Sequence, residues 1–271
     1  MKPALIQAAR RALHRTGLLQ FYFRAVEWRL ARGRDAPPDA DDNGTPIPPL
    51  RLMAMTVAHA DWRAFLKTGA ATATALDRRA ANAGLSFADA RRILDFGCGA
   101  GRVIRHLPSL THAELFGADY NEALLNWCAS NLPGTYMRND LAPPLDFPDG
   151  HFDILYALSV FTHLREATQR QWIEDYARVL RPGGLALVSF HEETQPGFPQ
   201  TVAARNAIAV SGFYVHNDMA EGSNLIASFQ TADHARGLFG EVFDAVTIVP
   251  RADAGIGQSL AVLRKGAAGR A

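Results

Sequence analysis

Between residues 91 and 190 short apolar runs alternate with amphipathic stretches, and that alternation leaves few folds open to the chain. Runs at 93–96, 114–119, 135–137, 152–158 and 185–190 read as strands. Residues 103–107, 122–131 and 166–180 read as helices, the last with Trp172, Ile173, Tyr176, Val179 and Leu180 on its apolar side. Strands joined through helices run parallel and are covered on both faces. Two more strands, at 245–249 and 260–263, are joined only by residues 250–259, shorter than the dozen or so residues a parallel crossover needs. They are predicted to pair as an antiparallel hairpin. The expected fold class is α/β, a seven-stranded and mostly parallel sheet with an antiparallel C-terminal hairpin and helices on both faces.

The N-terminal part has a different texture. Residues 1–34 carry eight positive side chains and one negative, Glu27, a net of +7. Leu5, Ala9, Ala12, Thr16, Leu19, Phe23, Val26 and Leu30 step by fours and threes, an amphipathic helix weakened at Gly17. Asp35, Asp39, Asp41 and Asp42 then lead into Ile47-Pro48-Pro49, which cannot continue a helix and reads as a linker. The division expected is 1–50, basic helix and linker, and 51–271, the α/β domain. Within the latter, 51–90 is a helical lead-in, with one helix over 53–83, and 192–233 an insertion. The basic helix has three readings: docking on its own domain or a second copy, lying on an anionic membrane surface, or touching RNA.

Composition narrows the function classes. Lys plus Arg number 28 against 27 Asp plus Glu, so bulk electrostatic wrapping of nucleic acid has no support. Apolar residues at 48% suit a real core. No run approaches the roughly 18 apolar residues of a membrane span, and no signal peptide is expected. Cys98 and Cys128 are too few for a disulfide framework or a four-ligand zinc site, so no metal is expected and a reducing, cytoplasmic setting is the default.

The strongest local signal is Asp95-x-Gly97-x-Gly99-x-Gly101 at the first strand-to-helix junction. Glycines there let the backbone approach a ligand, and a following helix would offer free amides at its positive end. The dinucleotide fingerprint wants a third glycine where this chain has Arg102. Asp95 can face an ammonium group. Asp119, ending the second strand, is positioned to accept both ribose hydroxyls, and Tyr120 to cover an adenine face.

Together these residues resemble the class I S-adenosylmethionine-dependent methyltransferases, over roughly residues 91–265. Ile93-Leu94-Asp95-Phe96-Gly97-Cys98-Gly99-Ala100-Gly101-Arg102 looks like the family's first motif, and Gly117-Ala118-Asp119-Tyr120 like its ribose-binding acid. Asn139-Asp140-Leu141 looks like the segment that reads adenine, with Asp140 accepting from the exocyclic amine. The run from Phe152 to Leu164, with Ser159 after the strand, resembles the fourth-strand motif, and Val179-Leu180-Arg181-Pro182-Gly183-Gly184 the turn before the fifth strand. The resemblance implies a Rossmann-like fold, S-adenosyl-L-methionine as cofactor and methyl transfer as activity. A nicotinamide-dependent oxidoreductase and a non-catalytic S-adenosylmethionine-binding partner subunit are the rival readings.

Methyl transfer is an in-line displacement that needs alignment and, for an O–H or N–H acceptor, a base. His163 after the fourth strand and His191 after the fifth are the candidate bases. Enzymes methylating planar amino nitrogens often carry Asn/Asp-Pro-Pro-aromatic after the fourth strand; this chain has Ala157-Leu158-Ser159-Val160, which counts against DNA. The insertion carries Phe198, Phe213, Tyr214, His216, Asp218 and Phe229, either a substrate wall or a small core of its own. Without a basic patch there, a small organic acceptor (a sugar, lipid-linked or natural-product molecule) is favoured over RNA.

Overall fold

Period-2 alternation in the strands sends successive side chains to opposite faces, and two hydrophobic cores follow from it. The computed structural model describes residues 19–57 and 59–267, with side chains from residue 24 onward. The chain divides into two units, Met1–Lys67 and Thr68–Ala271.

In the first unit, α1 (Leu19–Ala31) packs on α2 (Leu50–Val57), and Glu27 faces Arg51 at 3.8 Å. The start of the expected basic helix, from Leu5 through Gly17, lies outside the described residues. The Asp-rich linker is ordered by a turn: Asp41 accepts from the amides of Asn43 and Thr45 at 3.0 Å, and Ala40 bridges Pro46. The helix expected over 53–83 is instead two helices. The second, α3 (Trp62–Asn82), starts at a break where Asp61 accepts from the amide of Ala64.

The second unit holds β1 (Arg92–Phe96), β2 (Glu114–Asp119), α4 (Glu122–Asn131), β3 (Thr135–Arg138), β4 (Phe152–Ala157), α5 (Glu166–Val179) and β5 (Leu180–Phe190). There follow α6 (Val202–Ser211), β6 (Phe213–His216), β7 (Ala227–Gln230), α7 (Ala232–Gly240), β8 (Ala245–Val249), α8 (Arg251–Ala254) and β9 (Ser259–Arg264). Seven strands form one sheet in the order β3-β2-β1-β4-β5-β9-β8. The first five are parallel, and β9 runs antiparallel to both β5 and β8, the hairpin that loop length implied.

Leu94, Phe96, Leu155, Ala157, Ala186 and Val188 pack on one face, against Trp172 and Tyr176 of α5 and Phe239 of α7. Ile93, Ile154, Tyr156, Leu185 and Leu187 pack on the other, against Leu76 of α3 and Phe87. Strand order reverses between β1 and β4, so the crevice for a ligand opens at the carboxyl ends of those strands.

Two expectations about local structure are corrected. No α-helix follows the glycine loop; residues Ile104–Ser109 form 3-10 turns. Val103 and Ile104 are β-branched, and Pro108 lacks the N–H that an α-helix would need there. Pro182-Gly183-Gly184 does not precede β5 but lies within it, in a bulged stretch where the register against β4 shifts. The insertion contains a hairpin, β6–β7, that periodicity did not reveal.

Candidate functional site at the carboxyl ends of β1, β2, β4 and β5

Parallel register brings the two expected acids to one face. Asp95 on β1 sits between Gly117 on β2 and Tyr156 on β4. Asp119 is two residues beyond Gly117, hence on the same face, one step nearer the loop. Both are buried, at 3% and 7% exposure.

Burial pushes the Asp95 carboxyl up to about 7, while the hydroxyl of Tyr156, the guanidinium of Arg102 and the amide of Ile104 pull the other way. Burial likewise raises Asp119, against the amides that bond it. Its two oxygens accept from Gly99 N and from Asn121 N, each at 2.9 Å. The glycine loop is thus closed onto the acid of the next strand. The positive helix end expected behind that loop is absent, and Gly99 spends its amide on Asp119. Burial lowers the pKa of Arg102, and the charge of Asp95 opposes that shift; its Nη1 lies 3.3 Å from Thr72 Oγ1.

Gly97 and Gly101 both have left-handed backbone, with φ of 76° and 72°. A Cβ on Gly97 would lie 2.4 Å from Val160 Cγ2, and one on Gly101 2.3 Å from Leu132 Cδ1. Packing demands glycine at both positions, independently of any ligand.

Tyr120 leaves its ring 51% exposed and donates from its hydroxyl to Gly222 O at 3.0 Å. Asp140 is exposed. The buried acceptor of that segment is Asn139 Oδ1, which has no hydrogen-bond partner among the described residues, while Asn139 Nδ2 donates to Asp140 O. Leu141 is 45% exposed, and its carbonyl accepts from Trp172 Nε1.

Ser159 follows β4 with a φ of 59°, a strained position for a non-glycine residue. Its amide donates to Ser189 Oγ at 2.7 Å and its carbonyl accepts from Thr162 Oγ1 at 2.7 Å. Gln258, entering β9, completes a network: its Oε1 accepts from Ser189 Oγ at 2.6 Å, and its Nε2 donates to Ser159 Oγ at 2.9 Å and to His191 Nε2 at 3.2 Å.

That network separates the two histidines. His191 Nε2 is already an acceptor, so the neutral ring carries its proton on Nδ1. Burial, with the neighbouring His163, holds its pKa down at about 4. His163 Nδ1 lies 2.8 Å from Ile226 O, a pairing that puts the proton on Nδ1 and leaves the Nε2 lone pair. Burial lowers its pKa as well, against that hydrogen bond. Both rings are neutral at pH 7.

Sequence reading did not single out Tyr156, Ser189 or Gln258. A hydroxyl between the apolar Ile154-Leu155 and Ala157 of β4 marked Tyr156; nothing local marked Gln258. Of the insertion's aromatics, Phe198, Tyr214 and Phe229 fill a small core around Ala204. Phe198 meets Phe229 edge-on at 5.3 Å.

Residues 93–184 match the family model described as a methyltransferase domain. Those residues belong to the class I S-adenosylmethionine-dependent methyltransferase family. A probable S-adenosylmethionine-dependent methyltransferase of Mycolicibacterium smegmatis is 32% identical over 99 residues, 36% of this chain and 37% of that protein. A sterol 24-C-methyltransferase of Yarrowia lipolytica is 32% identical over 101 residues, 35% of this chain and 26% of that one. The chain spans half or less of the length of such curated relatives. Among solved structures, a putative O-methyltransferase of Nostoc punctiforme shares the fold at a TM-score of 0.55 and 13% identity, covering 83% of this chain and 64% of that one. Beyond the matched residues the sheet ends in the antiparallel β9–β8 pair as expected, which disfavours the nicotinamide reading. Among the described residues no helix is long and apolar enough to cross a membrane, and no group of His, Cys, Asp or Glu could hold a metal.

Proposed function

We propose that the chain transfers the methyl group of S-adenosylmethionine to a small-molecule acceptor. The observation that carries this reading is the pair of buried acids at adjacent strand ends: Asp95, held near 7 by burial, and Asp119, locked to the glycine loop. A buried carboxyl with so high a pKa lacks a full counter-charge, and an ammonium group supplies one. The buried, unpartnered Asn139 Oδ1 next to Asp119 fits a nucleobase donor. The residues present therefore suit the cofactor.

When bound, S-adenosylmethionine supplies a methyl group on a sulfonium, an electrophile that needs no further activation. Asp95 would hold the ammonium of the amino-acid tail and Asp119 the ribose hydroxyls through the lone pairs its amide donors leave free. Tyr120, Asn139, Asp140 and Leu141 would border the adenine. The loop from Gly97 through Gly101 to Arg102 would set how closely the backbone approaches. Ser159 and the Gln258 network fix the acceptor side at the ends of β4 and β5. His163, neutral with an open Nε2, is the residue suited to take a proton from an acceptor hydroxyl or amine. His191, with Nε2 occupied, is suited to donate from Nδ1.

Calorimetry with S-adenosylmethionine, S-adenosylhomocysteine and NADH tests the cofactor assignment. Binding of the first two and not the third is expected; tight NADH binding alone overturns it. Turnover is read as a gain of one methylene in mass across a metabolite pool. Cofactor binding with no such gain in any extract points to a non-catalytic subunit.

A further inference from the structure

At 3.6 residues per turn, positions 24, 25, 28, 29 and 32 share one side of α1, and 26, 27, 30 and 31 the other. Arg32 continues the last turn, its amide donating to Trp28 O at 3.0 Å. The described side chains divide along that line. Val26, Glu27, Leu30 and Ala31 are half-buried, whereas Arg24, Ala25, Trp28, Arg29 and Arg32 are exposed. The helix packs on α2, and Glu27, its side chain 13% exposed, faces Arg51 of that helix. The only acid of residues 1–34 is thus turned inward, and the outer side is left with three arginines around one tryptophan.

The positive charge is concentrated in this segment. Residues 1–34 carry +7 while the whole chain carries +1, which leaves −6 for the rest. Lys2, Arg10, Arg11 and Arg15 precede α1 in the sequence, outside the described residues, and add to the same sign. Of the acids that follow, Asp35 faces Arg63 at 3.3 Å, and Asp41 is taken up by the amides of Asn43 and Thr45.

Trp28 narrows the choice of partner. It is 61% exposed, and the Arg32 guanidinium lies over its ring at 4.8 Å. An indole beside guanidinium groups suits the headgroup layer of a membrane, where the ring meets the apolar boundary and the arginines meet phosphate. Single-stranded nucleic acid is held on open aromatic faces that stack successive bases; here Arg32 already covers one side of the one aromatic ring described on this face. A second copy of the same face would set arginines against arginines.

We propose that the outer face of α1, with Arg24, Trp28, Arg29 and Arg32, docks the chain reversibly on an anionic lipid surface. The attachment is peripheral: the arginines meet lipid phosphates and the indole enters the headgroup layer, while the half-buried side of the helix stays on α2. Nothing in it depends on the methyltransferase reading.

Co-sedimentation of the full chain with vesicles tests the proposal. Vesicles of phosphatidylcholine and phosphatidylglycerol in equal parts should carry the protein down in about 0.1 M salt and release it in about 1 M, where the Debye length shrinks to about 3 Å. Vesicles of phosphatidylcholine alone should leave it in solution. Arg24→Gln, Arg29→Gln and Arg32→Gln together should weaken partition by roughly a hundredfold, at about fivefold for each arginine. Trp28→Ala should weaken it without changing how steeply salt releases the protein. Neutralising Arg91, Arg205 and Arg236, exposed on the other unit, removes the same charge and should leave binding nearly unchanged. No binding to the anionic vesicles, equal binding to both kinds, binding that salt does not release, or an equal loss in the control variant overturns the proposal. So does tighter capture of a single-stranded RNA oligonucleotide than of the vesicles, or a dimer in sedimentation that the triple variant abolishes. The substituted arginines lie off the packed side, so the triple variant should keep the circular dichroism of the wild type; should it lose helix, the lipid and salt contrasts of the wild type decide alone.

Discussion

Replacing Asp95 by asparagine separates stability from cofactor binding. The carboxyl titrates at about 7 in the folded protein against an ordinary 3.8. For an acid raised in this way, the folded state holds the proton more tightly than the unfolded chain. Stability is therefore greatest below pH 4 and is lost as the pH rises through the folded value, with no further change above it. The full loss is about 4 kcal/mol by pH 8 and about half of that at pH 5.5, taking about 1.4 kcal/mol for each tenfold change in proton affinity. An asparagine carries no such penalty. Arg102 loses its counter-charge in the variant, so about 4 kcal/mol is a ceiling on the gain, and the informative quantity is its growth by about 2 kcal/mol between pH 5.5 and 8. Urea unfolding of the cofactor-free proteins at the two pH values measures it. Adding S-adenosylhomocysteine should stabilise the wild type and leave Asp95→Asn nearly unmoved. A stability difference that does not change with pH, or a variant that binds the cofactor as tightly as the wild type, refutes the reasoning. In the wild type itself, cofactor affinity should fall as the pH drops below about 7, because Asp95 must ionise to meet the ammonium.

Asp119→Ala should weaken cofactor binding by about 1–3 kcal/mol by calorimetry, since it removes a charged acceptor and frees the glycine loop at Gly99. His163→Ala should lower kcat by roughly 10²–10⁴ with S-adenosylhomocysteine affinity unchanged. With S-adenosylmethionine saturating, so that Asp95 is already ionised, the acid limb of the kcat/KM profile for the acceptor should lie below the ordinary histidine value of 6.5, because burial lowers His163. Gly97→Ala should destabilise the fold by about 1–3 kcal/mol in thermal unfolding, from left-handed strain and the clash with Val160. Val160→Ala in the same chain should recover the clash and not the strain.

How much of this was legible in the linear chain depends on range. The alternation of apolar runs set a parallel sheet, because each run needs cover on both faces, and the short 250–259 connection set the antiparallel end, because chain length limits crossover. Asp95 and Asp119 could be placed at strand ends for the same local reason. The glycine pattern was legible too, although Gly97 and Gly101 answer to the side chains of Val160 and Leu132 as much as to a ligand.

The helix after the glycine loop failed as an expectation because the β-branched pair and Pro108 outweighed a short apolar pattern. Everything that depends on two distant segments lay beyond reach. Register alone puts Tyr156 beside Asp95. Only the antiparallel insertion of β9 next to β5 brings Gln258 to Ser189 and His191, 69 and 67 residues away, and so decides which ring nitrogen His191 presents, while the distant Ile226 carbonyl decides it for His163. A sequence names the groups that can carry charge, but burial and hydrogen-bond partners, which are properties of the folded whole, set their protonation and direction.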